Sequence, residues 1–160
     1  MMEKEKSHEL NIRKATITDV PLILTFIKEL AEYEKLSSTV TANEALLKET
    51  LFGVKRYAEV IIAEYDGEPA GHALYFYNFS TFVGKPGIYL EDIYIRPHLR
   101  GKGIGKALLM YLIKLGKDNN YGRVEWSVLN WNKSAINFYK NLGAVPMEEW
   151  TLFRLTEDKF

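Results

Sequence analysis

A chain of 160 residues, 47% of them hydrophobic, is long enough to bury one core of ordinary domain size. Its 21 basic and 21 acidic side chains cancel, which argues against nucleic-acid binding through a global basic field. The absence of cysteine excludes a disulfide framework, a thiol nucleophile and a cysteine metal site, and no apolar run approaches the length of a membrane span.

Met1 to Glu9 is charged and lacks an apolar stretch, so it reads as a frayed tail and not a secretory signal. The expected domain is 10–160, and a soluble cytoplasmic protein is the expectation. Leu10 to Ala15 alternates apolar and polar residues and predicts a strand. Thr18 is the expected N-cap of a first helix, with Asp19 and Pro21 in its first turn. Val20, Ile23, Leu24, Ile27, Leu30 and Ala31 follow at helical spacing. Glu29, Glu32 and Glu34 fall on other faces and read as solvated. Thr41-Ala42-Asn43-Glu44 has the form of a capping box for a second helix to Phe52, ended by Gly53. Glu59 to Glu64 predicts a strand, Asp66-Gly67 a hairpin turn, and Pro69 to Phe79 the returning strand. His72 lies inside that strand and reads as structural. Phe79 to Gly87 is expected to be a loop.

Ile88, Leu90, Ile93 and Ile95, with Tyr89 and Tyr94, predict a buried strand. Arg96-Pro97-His98 stops it, because proline cannot donate to a ladder. Arg100-Gly101-Lys102-Gly103-Ile104-Gly105-Lys106 then leads into a helix from Gly103 to Asp118. Bare first-turn N–H groups, the positive end of the helix dipole and three basic side chains make an anion site suited to phosphate or pyrophosphate. A P-loop needs glycine at 100 and a hydroxyl residue at 107, where Arg100 and Ala107 stand. A dinucleotide fingerprint needs glycine at 106, where Lys106 stands. Val124 to Leu129 predicts a further strand. Asn132 is the expected N-cap of a helix to Asn141, closed by Gly143. Ala144 to Glu149 and Trp150 to Leu155 predict a final strand pair. Strands interspersed with helices give an α/β class with one mixed central sheet flanked by helices.

Arg100-x-x-Gly103-x-Gly105, following a strand that carries Glu91-Asp92, resembles the phosphate-binding motif of the GNAT acetyltransferases. Trp131-Asn132, with Ile136-Asn137-Phe138-Tyr139-Lys140, resembles that family's second motif. Tyr89-Leu90-Glu91-Asp92 narrows the likeness to the diamine (spermidine/spermine) and thialysine N-acetyltransferase branch. The resemblance implies a GNAT fold of order βααβββαβαββ. It implies acetyl-CoA as co-substrate, with its pantetheine arm on the backbone of Ile93, Tyr94 and Ile95 and its pyrophosphate on Arg100, Gly101, Lys102, Gly103, Ile104, Gly105 and Lys106. Asn132 would bond the pantetheine region. Glu91 is then the base and Tyr139, which also contacts the coenzyme, the acid. Without the family pattern, Tyr139 reads as an ordinary core aromatic. Adjacent strand residues point to opposite faces, so only one of Glu91 and Asp92 should face a cleft unless the strand bulges.

The implied acceptor is a small cationic amine, a polyamine or a thialysine-like molecule. Glu91, Asp92, Glu148, Glu149 and Trp150 are its expected contacts. Where the polyamine enzymes offer an aspartate before the central strand, this sequence has Ser80 or Thr81. A homodimer follows by analogy, and no metal is required. The alternatives are a non-catalytic coenzyme A sensor, or a family member acting on a protein or aminoglycoside amine.

Overall fold

Asp66 and Gly67 have φ of +51° and +79°, the left-handed pair that a tight hairpin turn demands. In the computed structural model, which describes residues 8–160, this turn joins β2 (Glu59–Tyr65) to β3 (Glu68–Ser80). The other strands are β1 (Leu10–Lys14), β4 (Lys85–Ile95) and β5 (Val124–Trp126). The helices are α1 (Val20–Tyr33), α2 (Glu44–Phe52), α3 (Ile104–Asp118) and α4 (Lys133–Asn141). The sheet order is β1-β2-β3-β4-β5, antiparallel except for the parallel β4–β5 pair. The mixed-sheet α/β class read from the sequence is therefore the one observed. A first compact unit ends at Ser127 and contains the sheet with α1 to α3; the second, Val128–Phe160, contains α4. No described helix is long and apolar enough to cross a membrane.

Each face of the sheet is covered because its strands alternate. On one face Val60, Ile62 and Leu74 meet Val20, Ile23 and Leu24 of α1 and Leu47 and Leu51 of α2. His72 is fully buried on this face, 5.2 Å from the Phe26 ring, and neither ring nitrogen has a hydrogen-bond partner among the described residues. Burial lowers its pKa to about 4, so it stays neutral at pH 7. The other face carries α3, whose Leu108, Leu109 and Leu112 are fully buried. α3 runs back along β4: a Cβ on Gly105 would lie 3.7 Å from Ile95, and one on Gly116 3.7 Å from Ile88.

Several boundaries differ from the expectation. Thr18 does not cap α1. A 3-10 turn, Ile17–Asp19, comes first, and Asp19 accepts the Thr16 N–H at 2.7 Å and both ends of the Arg13 guanidinium. Asn43, not Thr41, caps α2 by accepting the Leu46 N–H at 3.0 Å. The loop expected over Phe79–Gly87 shrinks to four residues, because β3 and β4 pair out to Ser80 and Lys85. β5 stops at Trp126, short of Leu129. The expected strand pair over Ala144–Leu155 is not formed among the described residues. Of the expected tail, residues 1–7 lie outside the described residues, while Glu9 donates its N–H to Asp66 and His8 bonds the same carboxylate.

Candidate active site

The register of β3 against β4 slips once. Leu74 lies opposite Asp92 and Tyr75 opposite Leu90, which leaves Glu91 without a partner. An extra residue in one strand is a β-bulge, and it inverts both the faces and the edges of the strand beyond it. Ile88, before the bulge, packs toward α3. Tyr94 and Arg96, after it, pack against Phe26 of α1 at 6.2 and 5.1 Å. All three are even-numbered, so the faces exchange at Glu91. The bulge that the sequence left open as an exception is present. Asp92 joins the α1 face, and Glu91 is exposed.

The edges exchange in the same way. The Ile88 N–H donates to Arg123 on the β5 side, whereas the Arg96 N–H donates to Ala70 on the β3 side. Alternation then turns the backbone groups of Ile93 and Ile95 toward the β5 side and those of Tyr94 toward β3. β5 pairs only as far as Leu90, so Ile93 and Ile95 face an edge that no strand covers among the described residues. Of the three residues expected to offer backbone to a ligand, Tyr94 is the exception, its groups being directed into the sheet.

β4 ends beside a basic loop. Pro97–Leu99 form a 3-10 turn. Gly101 and Gly103 take φ of +76° and +80°, a region that costs a side-chain-bearing residue about 1–2 kcal/mol. Gly103 is the N-cap of α3, and no side chain among the described residues caps the helix. Arg100 donates from Nε to the Ile95 carbonyl at 2.9 Å, and its guanidinium lies 4.5 Å from the centre of the Tyr33 ring. Lys102 stands 5.3 Å over the Tyr65 ring. Two cations are thus held on aromatic faces beside uncapped helical N–H groups, an arrangement suited to a polyanion.

Asp92 is the site's most perturbed carboxyl. Burial, then the Glu91 and Glu34 carboxylates, raise its pKa to about 6. An unfolded chain would titrate it near 3.8. The folded state holds this proton more tightly, so the stability it contributes is complete below about pH 4 and is lost as pH rises through 6. Above that, the ionised group costs the fold about 2–3 kcal/mol. Asp92→Asn should therefore raise Tm at pH 7 and flatten the stability profile between pH 4 and 6. A variant no more stable than wild type at pH 7 would contradict this placement of the carboxylate.

The second unit holds the remaining expected residues. Asn132 accepts the Ala135 N–H at 3.2 Å and caps α4. Tyr139 is half-buried on that helix, its ring 5.4 Å from Phe138. Glu148, Glu149 and Trp150 are exposed in a turn beyond α4, not in a strand. Ser80, one of the two residues at the expected departure from the polyamine enzymes, is buried, and Thr81 is exposed.

Two α1 residues and its C-cap, Glu34, escaped the sequence reading. Glu29 is not merely solvated but pairs with Arg96 at 3.2 Å. Burial raises the Glu34 pKa, and Tyr33 carries Arg100. For Glu29 and Tyr33 the signal was spacing, since positions four apart fall on one side of a helix.

Comparison with known proteins places the chain in a family. Residues 26–144 match the Acetyltransferase (GNAT) family. The chain is 40% identical over 154 residues to a thialysine N-epsilon-acetyltransferase of Bos taurus, covering 89% of this chain and 90% of that one. It is 33% identical over 192 residues to an L-ornithine N5-acetyltransferase of Arabidopsis thaliana, covering 92% and 84%. An integron cassette protein from the mobile metagenome of V. cholerae superposes with a TM-score of 0.78 at 26% identity, over 94% of each chain. With a matching family over most of its length and relatives of this similarity at near-full coverage, the chain belongs to the GNAT family and is an N-acetyltransferase.

Proposed function

We propose that this enzyme moves the acetyl group of acetyl-CoA to a primary amine of a small cationic acceptor, a polyamine or a lysine-like molecule such as thialysine, by direct attack. The observation that carries the proposal is the bulge at Glu91. It sets two carboxylates beside a backbone edge that runs into a basic glycine loop. The two relatives named above act, by their names, on thialysine and L-ornithine, both cationic amines.

An alkylammonium has a pKa of about 10.4 and must lose a proton before it can attack. Glu91 takes that proton, directly or through water. The neutral nitrogen adds to the thioester carbon, its remaining surplus proton passes to solvent, the oxyanion collapses, and the C–S bond breaks. Tyr139 supplies the proton to the departing thiolate. Gly101 to Lys106 with Arg100 hold the pyrophosphate. The open backbone of Ile93 and Ile95 pairs with the pantetheine arm, and Asn132 bonds its amide. Asp92 attracts the ammonium. Glu148 and Glu149 extend this attraction, and Trp150 offers a ring face to the cation or its methylene chain. The enzyme works as a cytoplasmic homodimer.

Values of kcat/KM for spermidine, thialysine and a neutral-tailed primary amine of similar length test the acceptor class. Wild type should prefer the cationic tails, and Glu149→Gln should narrow the preference. Preference for the neutral tail, or three unchanged ratios in the variant, would place the acidic acceptor pocket elsewhere or abolish it.

A further inference from the structure

Arg96 is a cation beside the phosphate loop that is already engaged. Its Nε and Nη2 donate to the two oxygens of Glu29 on α1, at 3.3 and 3.2 Å. Its Nη1 donates to the Pro69 carbonyl at the start of β3, at 3.1 Å. Its guanidinium lies 5.1 Å from the centre of the Phe26 ring. Its own N–H donates to Ala70 at 2.9 Å. One side chain thus ties α1, β3 and the end of β4 together in a fork that a lysine cannot reproduce. The pair is mostly buried, with side-chain exposures of 23% for Arg96 and 30% for Glu29.

The contacts converge on one short segment. Arg96 follows Ile95, whose open backbone and carbonyl border the site. Four residues on, Arg100 holds that carbonyl and packs on Tyr33. Glu29 and Tyr33 are one helical turn apart, on the same side of α1. Residues 95–100 are therefore fastened to α1 at two points, one ionic and one stacked. The next residue on α1's C-terminal side, Glu34, acts on Asp92 together with Glu91. With its charge matched by Glu29, Arg96 is poorly placed to serve as a phosphate ligand.

We propose that Arg96 and Glu29 are positioning residues for coenzyme A: their fork fixes the end of β4 and so sets both the open backbone edge and the glycine loop. This rests on the coenzyme A reading above. It differs in sign from a simple charge effect. Removing the Glu29 carboxylate takes negative charge away from a polyanion site, so electrostatics alone predicts tighter binding. Loss of the fork predicts weaker binding.

The test is the Kd of coenzyme A by calorimetry for wild type, Glu29→Gln and Arg96→Lys, with Tm, kcat and KM for acetyl-CoA measured alongside. Both variants are conservative, and Arg96→Lys retains the charge. Each should raise Kd about fivefold or more, with KM for acetyl-CoA rising by a larger factor than kcat falls. The pair combined should cost less than the sum of its parts. Unchanged Kd in both folded variants, or tighter binding by Glu29→Gln, would overturn the proposal while leaving the coenzyme reading intact. A folded wild type that binds no coenzyme A would overturn both.

Discussion

Tyr139→Phe should lower kcat by about 10²–10⁴-fold while the protein stays folded, because a positioned proton donor contributes on that order. The substitution removes one oxygen from a half-buried ring and leaves its packing against Phe138 in place. α4 keeps its Asn132 cap. The effect should fall on kcat, since the proton is needed as the thiolate leaves and not when substrates bind. The measurement is kcat under conditions where chemistry limits turnover, with Tm as the control. Wild-type kcat would reduce Tyr139 to a packing residue.

Gly103→Val and Gly105→Val should each weaken coenzyme A binding by about tenfold or more, the equivalent of at least about 1.4 kcal/mol. The two positions fail for different reasons. A Cβ at Gly103 meets nothing within 4 Å of the chain itself, but its φ of +80° strains any other residue. Gly105 has ordinary helical backbone, and a Cβ there meets only Ile95 at 3.7 Å. Loss of affinity in a folded Gly105 variant would therefore report obstruction of the ligand more directly than loss at Gly103. Titration of each folded variant decides, and undiminished affinity in both would remove the phosphate-loop assignment.

The strand, loop and helix from Ile88 to Asp118 were legible because every signal there is local. An apolar run, a proline stop, alternating glycines and a helical period each act over a few residues. Two helix starts were read one or two residues off: a 3-10 turn closed by Asp19 onto the Thr16 N–H comes before α1, and Asn43, not Thr41, caps α2, through bonds visible only in three dimensions. The bulge at Glu91 could be named only as an exception, since register belongs to a pair of strands and not to one. The Glu29–Arg96 fork joins residues 67 apart in sequence, and nothing in either segment announces the other. After Ala144 the pattern suggested strands, yet alternation does not supply the neighbour that a strand's backbone needs.

The most direct test of amine acetylation is release of free thiol from acetyl-CoA by the purified protein. The acceptors to compare are polyamines, thialysine, lysine, aminoglycosides and peptide N-termini. The account predicts amine-dependent release, fastest with a small cationic acceptor such as thialysine or a polyamine. Coenzyme A binding with no amine-dependent release from any of them would contradict it and leave a coenzyme sensor in its place.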